Sequence, residues 1–155
     1  MGADIEGVRR FLIDANNEGY GNPDVKIEKA DDGGRIINHT DGKWHFYDYF
    51  YGGHPYAGQE VVYEDGKPVW AMQYRGWVHD TELTPSDVYV FLRKALLQAP
   101  EQHPYRGPEE YTEDNLSYVN SWQGDMTNFS GEEVITENGQ EIYKGLYFGG
   151  TVDEQ

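Results

Sequence analysis

The hydrophobic positions of this 155-residue chain follow two periods that alternate along it. Between Asp4 and Asn17, residues Ile5, Val8, Phe11, Leu12 and Ala15 recur at the spacing of one helix face, which closes at Gly19. The same period returns after residue 84, where Val88, Phe91, Leu92, Ala95, Leu96 and Ala99 share a face and Pro100 ends it. The start of this second helix is written out in full. Thr84 stands at the N-cap, Pro85 at the first helical position and Asp87 three residues past the cap, with Leu83 and Val88 placed to clasp across it. Elsewhere the pattern alternates with period two and predicts strands over 35–40, 43–51, 58–64, 68–76, 116–123, 131–136 and 141–148. Asp41-Gly42, Asp65-Gly66 and Asn138-Gly139 supply two-residue hairpin turns, since Asn, Asp and Gly best tolerate the positive φ such turns need. Residues 100–115, rich in Pro, Glu and Gly, read as an irregular connection.

Two of the hairpins are nearly the same text. Tyr56-x-Gly58-x-Glu60-Val61-Val62 and Asp65-Gly66-x-x-Val69-Trp70-x-x-x-Tyr74-x-Gly76 return as Phe129-x-Gly131-x-Glu133-Val134-Ile135 and Asn138-Gly139-x-x-Ile142-Tyr143-x-x-x-Tyr147-x-Gly149, offset by 73. Phe11-Leu12 and Ala15 echo Phe91-Leu92 and Ala95 at an offset of 80, which places about seven extra residues of the first half in or near 20–43. The expected architecture is therefore a single α+β domain over 1–155 with an internal duplication. Its halves, about 1–80 and 81–155, each run from a helix into antiparallel strands and are related by a pseudo-twofold axis. Residues that recur in both halves are assigned to scaffold. Gly58/Gly131 and Gly76/Gly149 take bulge or turn roles, and Glu60/Glu133 pair or cap the hairpins, with a site built from both carboxylates held open as the alternative.

Composition narrows the chemistry. The chain has no cysteine, which excludes disulfides, thiolate nucleophiles and cysteine-bound zinc. No apolar run approaches the roughly 20 residues of a membrane span and no secretion signal opens the chain, so a cytoplasmic protein without membrane contact is expected. Acidic residues outnumber basic ones 28 to 12, giving a net charge of −16, and they are scattered rather than massed in a tail. Direct nucleic-acid binding is not expected of such a chain. Ordinary solubility, a high-salt host, or docking to a basic protein partner as a decoy for nucleic acid would each account for the charge.

Function is sought where the halves differ. Along 44–51, Trp44, Phe46, Asp48 and Phe50 alternate with His45, Tyr47, Tyr49 and Tyr51. Asp48 therefore stands in line with three large aromatics, where an uncompensated carboxylate is costly, and its counterpart at an offset of 73 is Ser121. A tyrosine hydroxyl, Arg75, Arg106 or His54 would serve as its donor. The strip from Tyr47 to Tyr56, with Trp44, Trp70, Tyr74 and Trp77, has the make-up of a pocket wall. The five histidines (39, 45, 54, 79 and 103) lack metal-site spacing, and phosphate-loop, nucleophile-elbow and His-Glu-x-x-His motifs are missing, so neither metal nor cofactor is expected.

Asp48-Tyr49-Phe50, Gly52-Gly53, Gly58-x-Glu60-Val61-Val62, Gly66-Lys67-Pro68-Val69-Trp70-Ala71-Met72-x-Tyr74-x-Gly76, Arg106-Gly107-Pro108 and Tyr147-Phe148-Gly149-Gly150 together carry a resemblance. The chain resembles an uncharacterised bacterial and archaeal domain family found alone or behind Cro-type helix-turn-helix domains in proteins labelled as transcriptional regulators. The resemblance implies a sensing or interaction context and no catalytic residues, and this chain shows no helix-turn-helix segment. The expected function is a non-enzymatic binding or sensory domain for a small cationic or aromatic ligand, with Asp48, Trp44, His54, Trp70 and Tyr74 as its site. The alternatives are an acidic protein-interaction module and an enzyme working through Asp48 and His54 or through Glu60 and Glu133.

Overall fold

The computed structural model describes residues 2–154. Helix α1 (Ile5–Glu18) begins at Asp4, whose Oδ1 accepts from the Gly7 N–H at 3.0 Å, and ends as the Gly19 N–H closes on the Ala15 carbonyl. Strands β1 (Glu28–Lys29), β2 (Arg35–Asp41), β3 (Trp44–Gly52), β4 (Tyr56–Glu64) and β5 (Lys67–Val78) follow as an antiparallel meander. Helix α2 (Pro85–Leu96) carries the cap that the sequence spells out. The Asp87 N–H bonds the Thr84 hydroxyl oxygen, and the Asp87 carboxylate accepts from the Thr84 N–H in return. A second meander, β6 (Glu110–Glu113), β7 (Leu116–Asp125), β8 (Asn128–Glu137) and β9 (Gln140–Thr151), completes the chain.

The two meanders are one sheet, and this corrects the expected α+β architecture of helix-then-strand halves. Strand β5 pairs with β9 from Trp70↔Thr151 to Val78↔Tyr143, giving a continuous nine-stranded antiparallel sheet in the order β1-β2-β3-β4-β5-β9-β8-β7-β6. With two helices of 14 and 12 residues beside it, the fold is β-rich. The physical reason lies in the edges. Separate half-sheets would leave the N–H and C=O rows of β5 and β9 open, and joining them pairs both rows at once. β1 and β6 also lie where the period-two pattern predicted no strand; they are two and four residues long, too short to alternate visibly.

Hairpins β4–β5 and β8–β9 share a register, Val62↔Trp70 matching Ile135↔Tyr143, and each carries its bulge one residue later, at Val62/Tyr63 and Ile135/Thr136. Asp65-Gly66 and Asn138-Gly139 turn with positive φ at both residues. The β2–β3 turn falls one residue later than expected, on Gly42-Lys43. Gly58 and Gly131 are neither bulges nor turns. They sit mid-strand, where a side chain would collide with the rings of Tyr74 and Tyr147 lying across them.

Two hydrophobic clusters lie under the helices. Val8, Phe11, Leu12 and Ala15 of α1 pack on Phe46, Val62, Trp70 and Met72, and also on Met126, Phe129 and Tyr147 from the far side of the β5–β9 seam. Val88, Phe91, Leu92, Ala95 and Leu96 of α2 pack on Tyr118, Ile135, Ile142 and Tyr143. The loop between α2 and β6 is no surface connection. Its residues 104–107 are buried, and the Asn16 amide of α1 donates to the Pro104 carbonyl at 2.6 Å.

Candidate functional site

A row of buried polar groups crosses the sheet where β3, β4, β7 and β8 present their inward faces. Register pairs Asp48 with Glu60 between β3 and β4, and Asn120 with Glu133 between β7 and β8. The partner position to Asp48 is thus Asn120, not Ser121, because the β3–β4 connection is one residue longer than the β7–β8 turn. The tyrosine contacts match as well. Tyr74 donates to Asp48 Oδ1 at 2.5 Å, and Tyr147 donates to Asn120 Oδ1 at 2.6 Å. Of the donors considered for Asp48, a tyrosine hydroxyl fills the role; Arg75 instead stacks on Trp77.

The two glutamates are equivalent in register and opposite in circumstance. Glu133, 1 % exposed, accepts at Oε1 from Arg106 Nε (3.0 Å) and Nη2 (2.6 Å), and at Oε2 from the Tyr118 hydroxyl (2.5 Å). Arg106 is itself buried; desolvation opposes its charge and the Glu133 carboxylate more than offsets that, so the guanidinium stays ionised. Asn120 and Tyr118 clamp the same loop, bonding the Gly107 carbonyl and N–H at 3.0 and 3.1 Å. This half of the row is closed, with a donor on each Glu133 oxygen and an acceptor for Arg106.

Glu60 is 3 % exposed and its Oε2 has no hydrogen-bond partner among the described residues. The β3 residue matching Tyr118 is Phe46, which has no hydroxyl to offer. Burial, then the Asp48 charge, push the Glu60 carboxyl well above its ordinary pKa, with Arg106 pulling weakly back. Asp48, 8 % exposed, is raised to about 6 by burial, against the Tyr74 hydrogen bond and the Arg106 charge. Among the described residues Arg106 is the cation that acts on both carboxyls, and its Nε and Nη2 donate to Glu133.

Both carboxyls line a cavity of about 490 Å³. Its floor is the inner face of β2–β5, with Ile37, Phe50, Tyr56 and Tyr74 around the acids. Leu92 and Leu96 of α2 form one wall, and the segment 20–27, through Tyr20, Pro23, Val25 and Ile27, forms another. That second wall lies within 20–43, the stretch expected from the sequence to hold about seven extra residues. Arg35 and Arg93 also border the space; Arg35 donates to the Gly52 carbonyl at 2.8 Å and rests over the Phe50 ring, while Arg93 is exposed on α2. A broader groove of about 730 Å³, bordered by Gln73, Gln123, Phe148 and Thr151, holds no charged side chain.

Of the five expected site residues, Asp48 and Tyr74 line the cavity together. Trp70 is fully buried in the α1 cluster, its indole N–H donating to the Met126 carbonyl at 3.0 Å. Trp44 stacks on Phe11 beneath Lys43. His54 lies outside the lining, its Nδ1 3.3 Å from the hydroxyl of Tyr89, which does line the cavity. The aromatic strip divides by alternation: Phe50 faces the cavity, while Tyr49 and Tyr51 turn to the other face and donate to Asp32. Glu60 and Arg106 stand at the cavity outside the five expected residues; in sequence terms Glu60 enters only as a pair with Glu133 and Arg106 as a donor for Asp48. Recurrence assigned Glu60 to scaffold, and the signal that separates it from Glu133 is Phe46 standing where β7 has Tyr118.

No helix among the described residues is long and apolar enough to cross a membrane, and no cluster of three or more His, Asp or Glu side chains among them is placed to hold a metal ion. Comparison with curated proteins and with solved structures finds no match to this chain. A family model does match, over residues 48–152, a span that opens on Asp48 and takes in both glutamates and Arg106. The chain belongs to the family described as domain of unknown function DUF5680.

Proposed function

We propose that this protein is a non-enzymatic binding or sensory domain that takes a small cationic ligand with an apolar or aromatic body into the cavity beside Asp48 and Glu60. The observation that carries this reading is the uncompensated pair. Two buried carboxyls lie together on the cavity floor, and Arg106, which acts on both among the described residues, is bonded to Glu133. Buried charge without a partner is costly, and a cation bound there recovers that cost. The walls around the acids are mainly apolar and aromatic, with Arg35, Arg93 and Arg106 also on the lining, and the volume suits a compact organic molecule. Tyrosine faces and the net charge of −16 both favour a positive guest. The context implied by the resemblance, a domain found alone or behind Cro-type helix-turn-helix units in bacterial and archaeal regulators, suits ligand sensing.

A thermal-shift comparison tests it. 4-Phenylbutylamine raises the melting temperature of the wild-type protein, the neutral alcohol 4-phenylbutan-1-ol does not, and Asp48→Asn diminishes the response. Melting that no cationic aromatic compound changes would remove the reading.

A second reading has its own support. A carboxyl held near pKa 6 beside another raised carboxyl is poised for proton transfer, so Asp48 and Glu60 would serve as acid and base in an enzyme. Turnover of a bound compound, abolished by Asp48→Asn, separates that reading from binding alone.

A further inference from the structure

We infer that the cavity selects for cations that carry N–H groups, such as protonated primary amines and amidines, over permanently alkylated quaternary ammonium ions. The inference rests on the reading of the cavity as a cation site and specifies what the cation must offer.

The demand comes from Glu60. Its Oε2 is buried without a donor, and Asp48 beside it has one donor assigned, the Tyr74 hydroxyl on Oδ1. Register places the two side chains on directly opposed positions of β3 and β4, so one group entering from the cavity meets both. A quaternary ammonium supplies charge and apolar surface but no hydrogen-bond donor. It would leave Glu60 Oε2 as unsatisfied as before, now held away from water by the ligand. An ammonium or amidinium supplies two or three N–H donors that converge on the pair, and charge-assisted hydrogen bonds of this kind are the strong ones.

The closed half of the row shows the same carboxylate position satisfied by such a group. Glu133 is met by two N–H donors of Arg106 on one oxygen and by the Tyr118 hydroxyl on the other. At the open half Phe46 replaces the tyrosine, and the guanidinium is bonded to Glu133. The missing donors at Glu60 are therefore of the kind the protein itself places at Glu133. No polar neighbour among the described residues donates to Glu60 Oε2; Arg35 is engaged with the Gly52 carbonyl, and the Tyr56 and Tyr143 hydroxyls bond each other at 2.5 Å.

A matched series measures this by calorimetry at pH 7.5: 4-phenylbutylamine, its N,N,N-trimethyl quaternary analogue and 4-phenylbutan-1-ol, each titrated into wild-type protein and Glu60→Gln. The amine is expected to bind about tenfold or more tightly than the quaternary ion, the margin of charge-assisted hydrogen bonds. Glu60→Gln is expected to erase that margin while melting at or above the wild-type temperature, because it removes a buried carboxyl. Equal affinity for amine and quaternary ion, both above the alcohol, would overturn the N–H requirement and leave the cation reading standing. Affinity for the amine no greater than for the alcohol would overturn both. A margin that survives intact in Glu60→Gln would overturn the assignment to Glu60.

Discussion

Asp48 and Asn120 occupy matching positions, accept from matching tyrosines, and differ by one atom and one charge. The difference has a cost that can be measured. The Asp48 pKa is raised in the folded protein to about 6 from an ordinary value of 3.8, so the folded state holds a proton that the unfolded chain has released over that interval. Stability from this group is then full below about pH 4 and is lost as pH rises through about 6; Glu60, raised in the same sense, extends the loss upward. Asp48→Asn keeps the acceptor for Tyr74 and removes the ionisation. It should raise stability at pH 7.5 by on the order of 2 kcal/mol, several degrees in melting temperature for a chain of this size, with little change at pH 3. Melting curves at the two pH values check this. An equal loss of stability at both would mean that the Asp48 charge is compensated.

At the level of elements, local chemistry was legible and long-range pairing was not. Asp65-Gly66 and Asn138-Gly139 announce their turns because few residues accept positive φ, and the Thr84–Asp87 cap is visible because its residues bond one another. Thr84→Ala should therefore cost about 1 kcal/mol, a fall of about 2–4 °C in melting temperature measured by circular dichroism. The β5–β9 seam had no such signature, because its pairs, from Trp70↔Thr151 to Val78↔Tyr143, join residues far apart in the chain. Nor did the loop 104–107, part of the stretch 100–115 read only as an irregular connection, which runs buried between α1 and the sheet. Asp48 could be found from its place among aromatics on an alternating strand. Glu60 could not be found by subtracting what recurs, because its backbone position recurs and only its neighbours change.

Over the whole molecule, the continuous sheet gives the site its asymmetry. One meander closes its inner row with Arg106, Tyr118 and Asn120; the other leaves Asp48 and Glu60 facing a cavity walled by α2 and the segment 20–27. On the proposed reading, a chain of net charge −16 that also buries Asp48 and Glu60 beside a cavity receives positive charge there. Carbon-13 carboxyl NMR, titrated with and without 4-phenylbutylamine, measures this directly. The account predicts that in the free protein Asp48 and Glu60 both titrate above the ordinary carboxylate range, and that the amine lowers both pKa values. Titration of both below pH 4.5 in the free protein, or curves that the amine leaves unmoved, would contradict it.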